Sequence, residues 1–257
     1  MIFEYNNINI NYEVFGENGD GRPLLLLHGW MGQIKSWAPV YLNFMKNRKV
    51  YVLDFPFQGG KSQEPSEAWG IPEYSEMVLS FIKSQNIFGC DVIGHSFGGR
   101  VIIYLASQNS DVFSKIILTD SAGVKPKGSL KKSLKILSYK ITKNVLRLIL
   151  SKEKFEEKMS ELRKKKGSSD YAKLDTEAKR ETFKRVVNND LTSNLSKISN
   201  PTLLIWGEKD EDTPLYMAHI MEKKIKDSGL VIIENAGHFA YLDNTNKFLL
   251  VANEFLK

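Results

Sequence analysis

The chain has one cysteine, Cys90, in 257 residues. No internal disulfide can form, and a metal site built on several cysteines is excluded. No apolar run approaches the roughly 20 residues that a membrane span needs. The start, Met1-Ile2-Phe3-Glu4-Tyr5, has no basic stretch followed by an apolar one, so no secretory leader is expected. These absences point to the cytoplasm. Histidine is scarce as well: His28, His95, His219 and His238 are all the chain holds.

What is present is ordinary in amount and uneven in place. Hydrophobic residues at 42% and charged residues at 26% suit one large globular core. The net charge is +6, yet Lys125 to Ile198 holds 21 Lys and Arg against 9 Asp and Glu, which leaves the rest at −6. Such asymmetry marks a separate structural unit.

Outside that stretch, short apolar runs alternate with amphipathic segments. Ile2-Tyr5 and Ile8-Phe15 predict a hairpin turning at Asn6-Asn7. Pro23-Leu27, Lys49-Asp54, Cys90-Gly94, Phe113-Thr119, Pro201-Gly207 and Gly229-Glu234 predict strands buried on both faces. Helices are expected over Ser36-Asn47, Pro72-Gln85, Phe97-Gln108, Pro214-Lys226 and Thr245-Leu256. This order predicts an α/β fold with a mostly parallel eight-stranded sheet flanked by helices. Within the basic stretch, Leu130, Leu134, Leu137, Ile141, Val145 and Leu148 recur at spacings of three and four, one apolar helix face. Gly167-Ser168-Ser169-Asp170 reads as a turn. Residues 1–124 and 199–257 are therefore expected to form the core, and 125–198 a basic helical insertion.

Gly94-His95-Ser96-Phe97-Gly98 matches G-x-S-x-G between a strand and a helix, the setting of a nucleophile on a sharp turn. A hydroxyl needs a base, and the base needs an orienting group. His28 and His95 precede or adjoin Ser96, and His219 falls inside a helix. His238, on the loop after the last strand, is the base by elimination and by position. The acid is expected on the loop after Leu203-Gly207, which offers Glu208, Asp210, Glu211 and Asp212. Asp210 is the choice and Asp212 the alternative. The backbone N–H groups of Phe97 and of Trp30, in His28-Gly29-Trp30-Met31-Gly32, are the expected oxyanion donors. Gly60-Lys61-Ser62 looks like the end of a phosphate loop, but Phe55 stands where that motif needs glycine.

These motifs, with Asp54-Phe55-Pro56-Phe57-Gln58-Gly59-Gly60-Lys61-Ser62, Gly207-Glu208-Lys209-Asp210 and Gly237-His238, resemble the α/β-hydrolase superfamily, in its order and over nearly the whole chain outside the insertion. In that family the acid usually precedes a proline by a few residues, which favours Asp210 before Pro214. The resemblance implies that the insertion is a cap or lid. It implies a serine hydrolase that cleaves a carboxylic ester or related acyl compound through an acyl-enzyme, with no metal or organic cofactor. Serine at position 96 disfavours epoxide and haloalkane chemistry, which uses aspartate there. A C–C hydrolase, a thioesterase, an amidase or a non-catalytic ligand-binding member are the alternatives.

The expected partner is a small acyl substrate. Lys125 to Arg147 holds eight basic residues and no acidic one. That suits either a lid with lysines toward water or contact with an anionic surface or carrier protein. No nucleic-acid motif accompanies the charge.

Overall fold

The computed structural model describes residues 1–17, 19, 21–126, 146, 147, 154, 158, 171 and 174–257. The apolar helix face over 130–148 and the turn at 167–170 lie outside the described residues.

Eight strands form one sheet: β1 (Ile2–Tyr5), β2 (Ile8–Phe15), β3 (Gly21–Leu27), β4 (Arg48–Leu53), β5 (Cys90–His95), β6 (Phe113–Thr119), β7 (Thr202–Gly207) and β8 (Ser228–Ile233). Their spatial order is β1-β2-β4-β3-β5-β6-β7-β8. The β1–β2 and β2–β4 pairs are antiparallel and the rest parallel. Asn6 and Asn7, at φ 49° and 61°, make the turn between β1 and β2. Both dihedrals lie in the left-handed region that asparagine tolerates and that a two-residue hairpin requires.

The helices whose full bounds lie among the described residues are α1 (Ala38–Phe44), α2 (Ile71–Ser84), α3 (Phe97–Gln108), α4 (Glu177–Asn188), α5 (Tyr216–Lys224), α6 (Ala240–Asp243) and α7 (Thr245–Phe255). Among the described residues, no helix is long and apolar enough to cross a membrane. The continuous apolar strands separate two cores, one on each face of the sheet. Leu25, Leu27, Val92, Leu118 and Trp206 pack with α2, α3 and α5. Leu24, Leu26, Val50, Ile93 and Ile205 pack with α1 and α7. Residues two apart share a face, so one Leu-rich strand feeds both cores.

The helix expected over Ser36-Asn47 is two pieces, a 3-10 turn (Ile34–Trp37) and α1. Pro39 stands in the first turn of α1, where its missing N–H costs nothing and where a new helix readily starts. Within 125–198, α4 sits on the core through polar contacts. The Trp69 N–H donates to Thr182 Oγ1 at 3.0 Å. Arg185 reaches the Ala68 carbonyl at 2.7 Å, and Lys179 pairs with Glu64 at 2.7 Å.

Candidate active site

Every parallel strand delivers its following loop to the same sheet edge, and the site assembles there. β5 ends at His95 and α3 begins at Phe97, so Ser96 makes the whole turn, at φ 48° and ψ −108°. A non-glycine residue held there is strained and must be fixed from outside. Its N–H donates to the Thr119 carbonyl at 3.2 Å, and its own carbonyl accepts from Ala122 at 3.0 Å and Arg100 at 3.2 Å. The turn is so tight that a Cβ on Gly98 would lie 2.1 Å from the Leu27 carbonyl oxygen, and one on Gly94 2.4 Å from Ile102 Cδ1. The motif glycines are therefore demanded by contact, while Ser96 itself carries the unusual backbone conformation.

The Ser96 hydroxyl lies 3.0 Å from His238 Nε2. On the other side of the ring, Nδ1 lies 2.9 Å from Asp210 Oδ2 and 3.1 Å from Oδ1. Asp210 Oδ1 accepts the backbone N–H groups of Asp212 and Thr213, each at 2.9 Å, and Oδ2 lies 2.6 Å from the Thr213 hydroxyl. Asp212 is exposed and serves the loop through its backbone. The structure thus joins Ser96, His238 and Asp210, and not Asp212, in one hydrogen-bonded line.

Burial works against a charge on His238. The hydrogen bond and charge of Asp210, with Asp212 and Asp120 behind it, outweigh that effect and hold the imidazole pKa above its usual value. Burial likewise opposes the Asp210 charge, while His238 and Thr213 bring its carboxyl below the usual range. An Nδ1–H donated to an ionised carboxylate leaves Nε2 unprotonated, the tautomer that can take a proton from Ser96.

The neighbouring histidines are braces. His95 Nε2 lies 2.7 Å from the His238 carbonyl and donates to it, and burial pushes the His95 pKa down to about 3, so the ring stays neutral. His28 Nδ1 meets the Gly29 carbonyl at 2.8 Å, and its Nε2 accepts the Phe55 N–H at 3.0 Å. His219 is exposed on α5, beside Glu222.

The loop after β3 carries Trp30. The next N–H, of Met31, donates to the buried Gln58 Oε1 at 2.7 Å, while the Trp30 and Phe97 N–H groups have no acceptor among the described residues. The Trp30 ring meets Phe97 and Phe183 of α4 edge-on, at centroid distances of 5.6 and 5.2 Å. Asp210, Asp212 and His238 form the one group among the described residues whose ligand atoms, within 4.8 Å of one another, could hold a metal ion. Asp210 would have to release His238 or Thr213 to do so.

Sequence reasoning did not reach the roles of Thr213, His95, Gln58, Phe183 or Asp120. The sequence signals only the turn at Asp210, whose side chain accepts the N–H two residues on, and not the Thr213 hydroxyl. Gln58 and Phe183 left no signal, because their partners are distant in the chain.

The family model for the α/β-hydrolase fold matches residues 22–245. The chain belongs to the α/β-hydrolase fold family. This α/β-hydrolase is 25% identical to monoacylglycerol lipase abhd6-A of Xenopus laevis, over 98% of this chain and 80% of that one. It is 26% identical to the pimeloyl acyl-carrier-protein methyl ester esterase of Nitrosospira multiformis, over 90% and 93% of the two chains. It superposes on the crystal structure of the enol-lactonase from Burkholderia xenovorans with a TM-score of 0.77 at 19% identity, covering 100% and 99% of the two.

Proposed function

We propose that this protein is a serine hydrolase cleaving a carboxylic ester or a closely related acyl compound. The observation that carries the reading is the continuous line from the Ser96 hydroxyl through His238 to the buried Asp210. In this mechanism, His238 Nε2 takes the hydroxyl proton as Ser96 Oγ attacks the substrate carbonyl. The negative charge that develops on the carbonyl oxygen is met by the N–H groups of Trp30 and Phe97. The tetrahedral adduct collapses, the C–O bond breaks, and the alcohol leaves with the proton from His238. A water then gives a proton to His238 and attacks the acyl-enzyme. Collapse returns that proton to Ser96 and frees the acid.

The line fits this chemistry because each group is in the form its step requires. Asp210 is held ionised, and His238 presents an unprotonated nitrogen to a hydroxyl within hydrogen-bond reach. Lipase and esterase relatives, matched over 80% and 93% of their own lengths, support an acyl substrate. The segment 125–198 is proposed as the lid, because Phe183 from that segment packs on Trp30 beside the donor loop.

Ser96→Ala tests the reading. The variant is expected to keep the wild-type melting temperature and to lose on the order of 10⁶-fold in turnover of a short p-nitrophenyl ester. Undiminished turnover would remove Ser96 from the chemistry.

A further inference from the structure

One buried acid at the site has no part in the mechanism above. Asp120 follows β6, is fully buried, and holds a φ of 45°. Its Oδ1 accepts the Gly207 N–H at 2.8 Å, three residues before Asp210. Its Oδ2 accepts the Ala240 N–H at 3.0 Å, two residues after His238, and the Thr119 hydroxyl at 3.0 Å. Its backbone carbonyl lies 3.0 Å from the Thr213 hydroxyl that also reaches Asp210. One side chain therefore ties the loop carrying the acid to the loop carrying the base.

A neutral side chain could make such ties. A buried carboxylate without a cation is costly and needs another reason. Among the described residues, the titratable groups that face Asp120 are Asp210 after β7, His238 after β8 and Tyr241 on α6. No lysine or arginine is paired with it there. Burial pushes its carboxyl up to about 7, Asp210 adds to that, and the two N–H donors and His238 oppose it. Three donors converge on its oxygens, which suits the ionised form, and a protonated His238 lowers its carboxyl further, so the negative charge is fullest when the imidazole is a cation.

We propose that Asp120 is a positioning residue of this site, pinning the Asp210 and His238 loops together and setting a second negative charge behind the imidazole. When His238 takes the serine proton it becomes a cation, and a nearby anion stabilises that state. The charge acts through His238 and does not touch the substrate. The kinetic part of this proposal rests on the hydrolase reading.

The test is Asp120→Asn, followed by ester turnover across pH and by proton NMR titration of the His238 ring. With the charge gone, the imidazolium is less favoured, so the His238 pKa falls. The acidic limb of kcat/KM and the ring titration should both move to lower pH. At the optimum, kcat should fall roughly tenfold, with KM within about twofold. A merely structural role would lower the melting temperature and leave the limb and the ring titration in place, which would overturn the proposal. An unchanged kcat would also overturn it. Should Asp120→Asn fail to fold, Thr119→Val removes one donor from the carboxylate and weakens the same charge. Its ring titration should move the same way by less, and no movement would overturn the proposal. The NMR titration needs no turnover. A wild-type protein without esterase activity would break the hydrolase reading, and the ring titration would still decide on Asp120.

Discussion

The two edges of the sheet each bury carboxylates, and they treat them differently. At the edge where the parallel strands begin, Asp91 lies 2.8 Å from Arg48 and 3.6 Å from Arg22, with the Lys115 N–H on its other oxygen. Arg48 and Lys115 also reach the Leu256 and Phe255 carbonyls at the end of α7. There the charge is neutralised and spent on holding the C-terminal helix to the sheet. At the opposite edge, Asp210 and Asp120 have no permanent cation among the described residues, only N–H and hydroxyl donors and the titratable His238. An arginine in that place would satisfy the acids at every step of a reaction. A histidine gains from them only when it carries the proton. On the proposed mechanism, the difference separates an edge built for cohesion from one built for proton transfer.

Asp210→Asn should break the contrast most sharply. The amide oxygen can keep the Asp212 and Thr213 N–H bonds, which places the NH2 group against His238 Nδ1. The ring is then driven to the tautomer with a proton on Nε2 and cannot accept one from Ser96. Turnover of a p-nitrophenyl ester should fall about 10⁴-fold, with the melting temperature nearly unchanged. Arg48→Met should give the reverse. It leaves Asp91 buried without its close partner and should cost about 3 kcal/mol in urea unfolding, while the folded protein keeps its turnover number. Loss of activity without loss of stability in that variant would dissolve the distinction between the edges. The smallest effect is on pH. In the proposed mechanism His238 must be unprotonated to act, and its pKa is held above the ordinary 6.5. The acidic limb of kcat/KM should therefore have its midpoint above 6.5, and Arg48→Met should not move it.

Much of this arrangement is legible in the sequence where the signal is local. The hairpin at Asn6-Asn7 and the helix from Phe97 to Gln108 follow from periodicity and turn residues, and their bounds match β1, β2 and α3. The glycines around Ser96 name a turn whose steric reason lies in contacts with Leu27 and Ile102. His238 was reachable because so few histidines compete. The split between Trp37 and Ala38 was missed, since a 3-10 turn followed by a proline start has the same apolar spacing as one helix. Asp120 was missed for a different reason. A lone aspartate after a strand carries no pattern, and its meaning lies in N–H groups 87 and 120 residues away. The Arg48–Asp91 pair, 43 residues apart, is silent in the same way.

The central claim is that Ser96 is a nucleophile activated by His238. Labelling with a fluorophosphonate, read by intact mass and peptide mapping, tests it most directly. The wild-type protein should gain a single adduct on Ser96, and Ser96→Ala should gain none. A folded wild-type protein that stays unlabelled, or an adduct that persists in Ser96→Ala, would contradict the account.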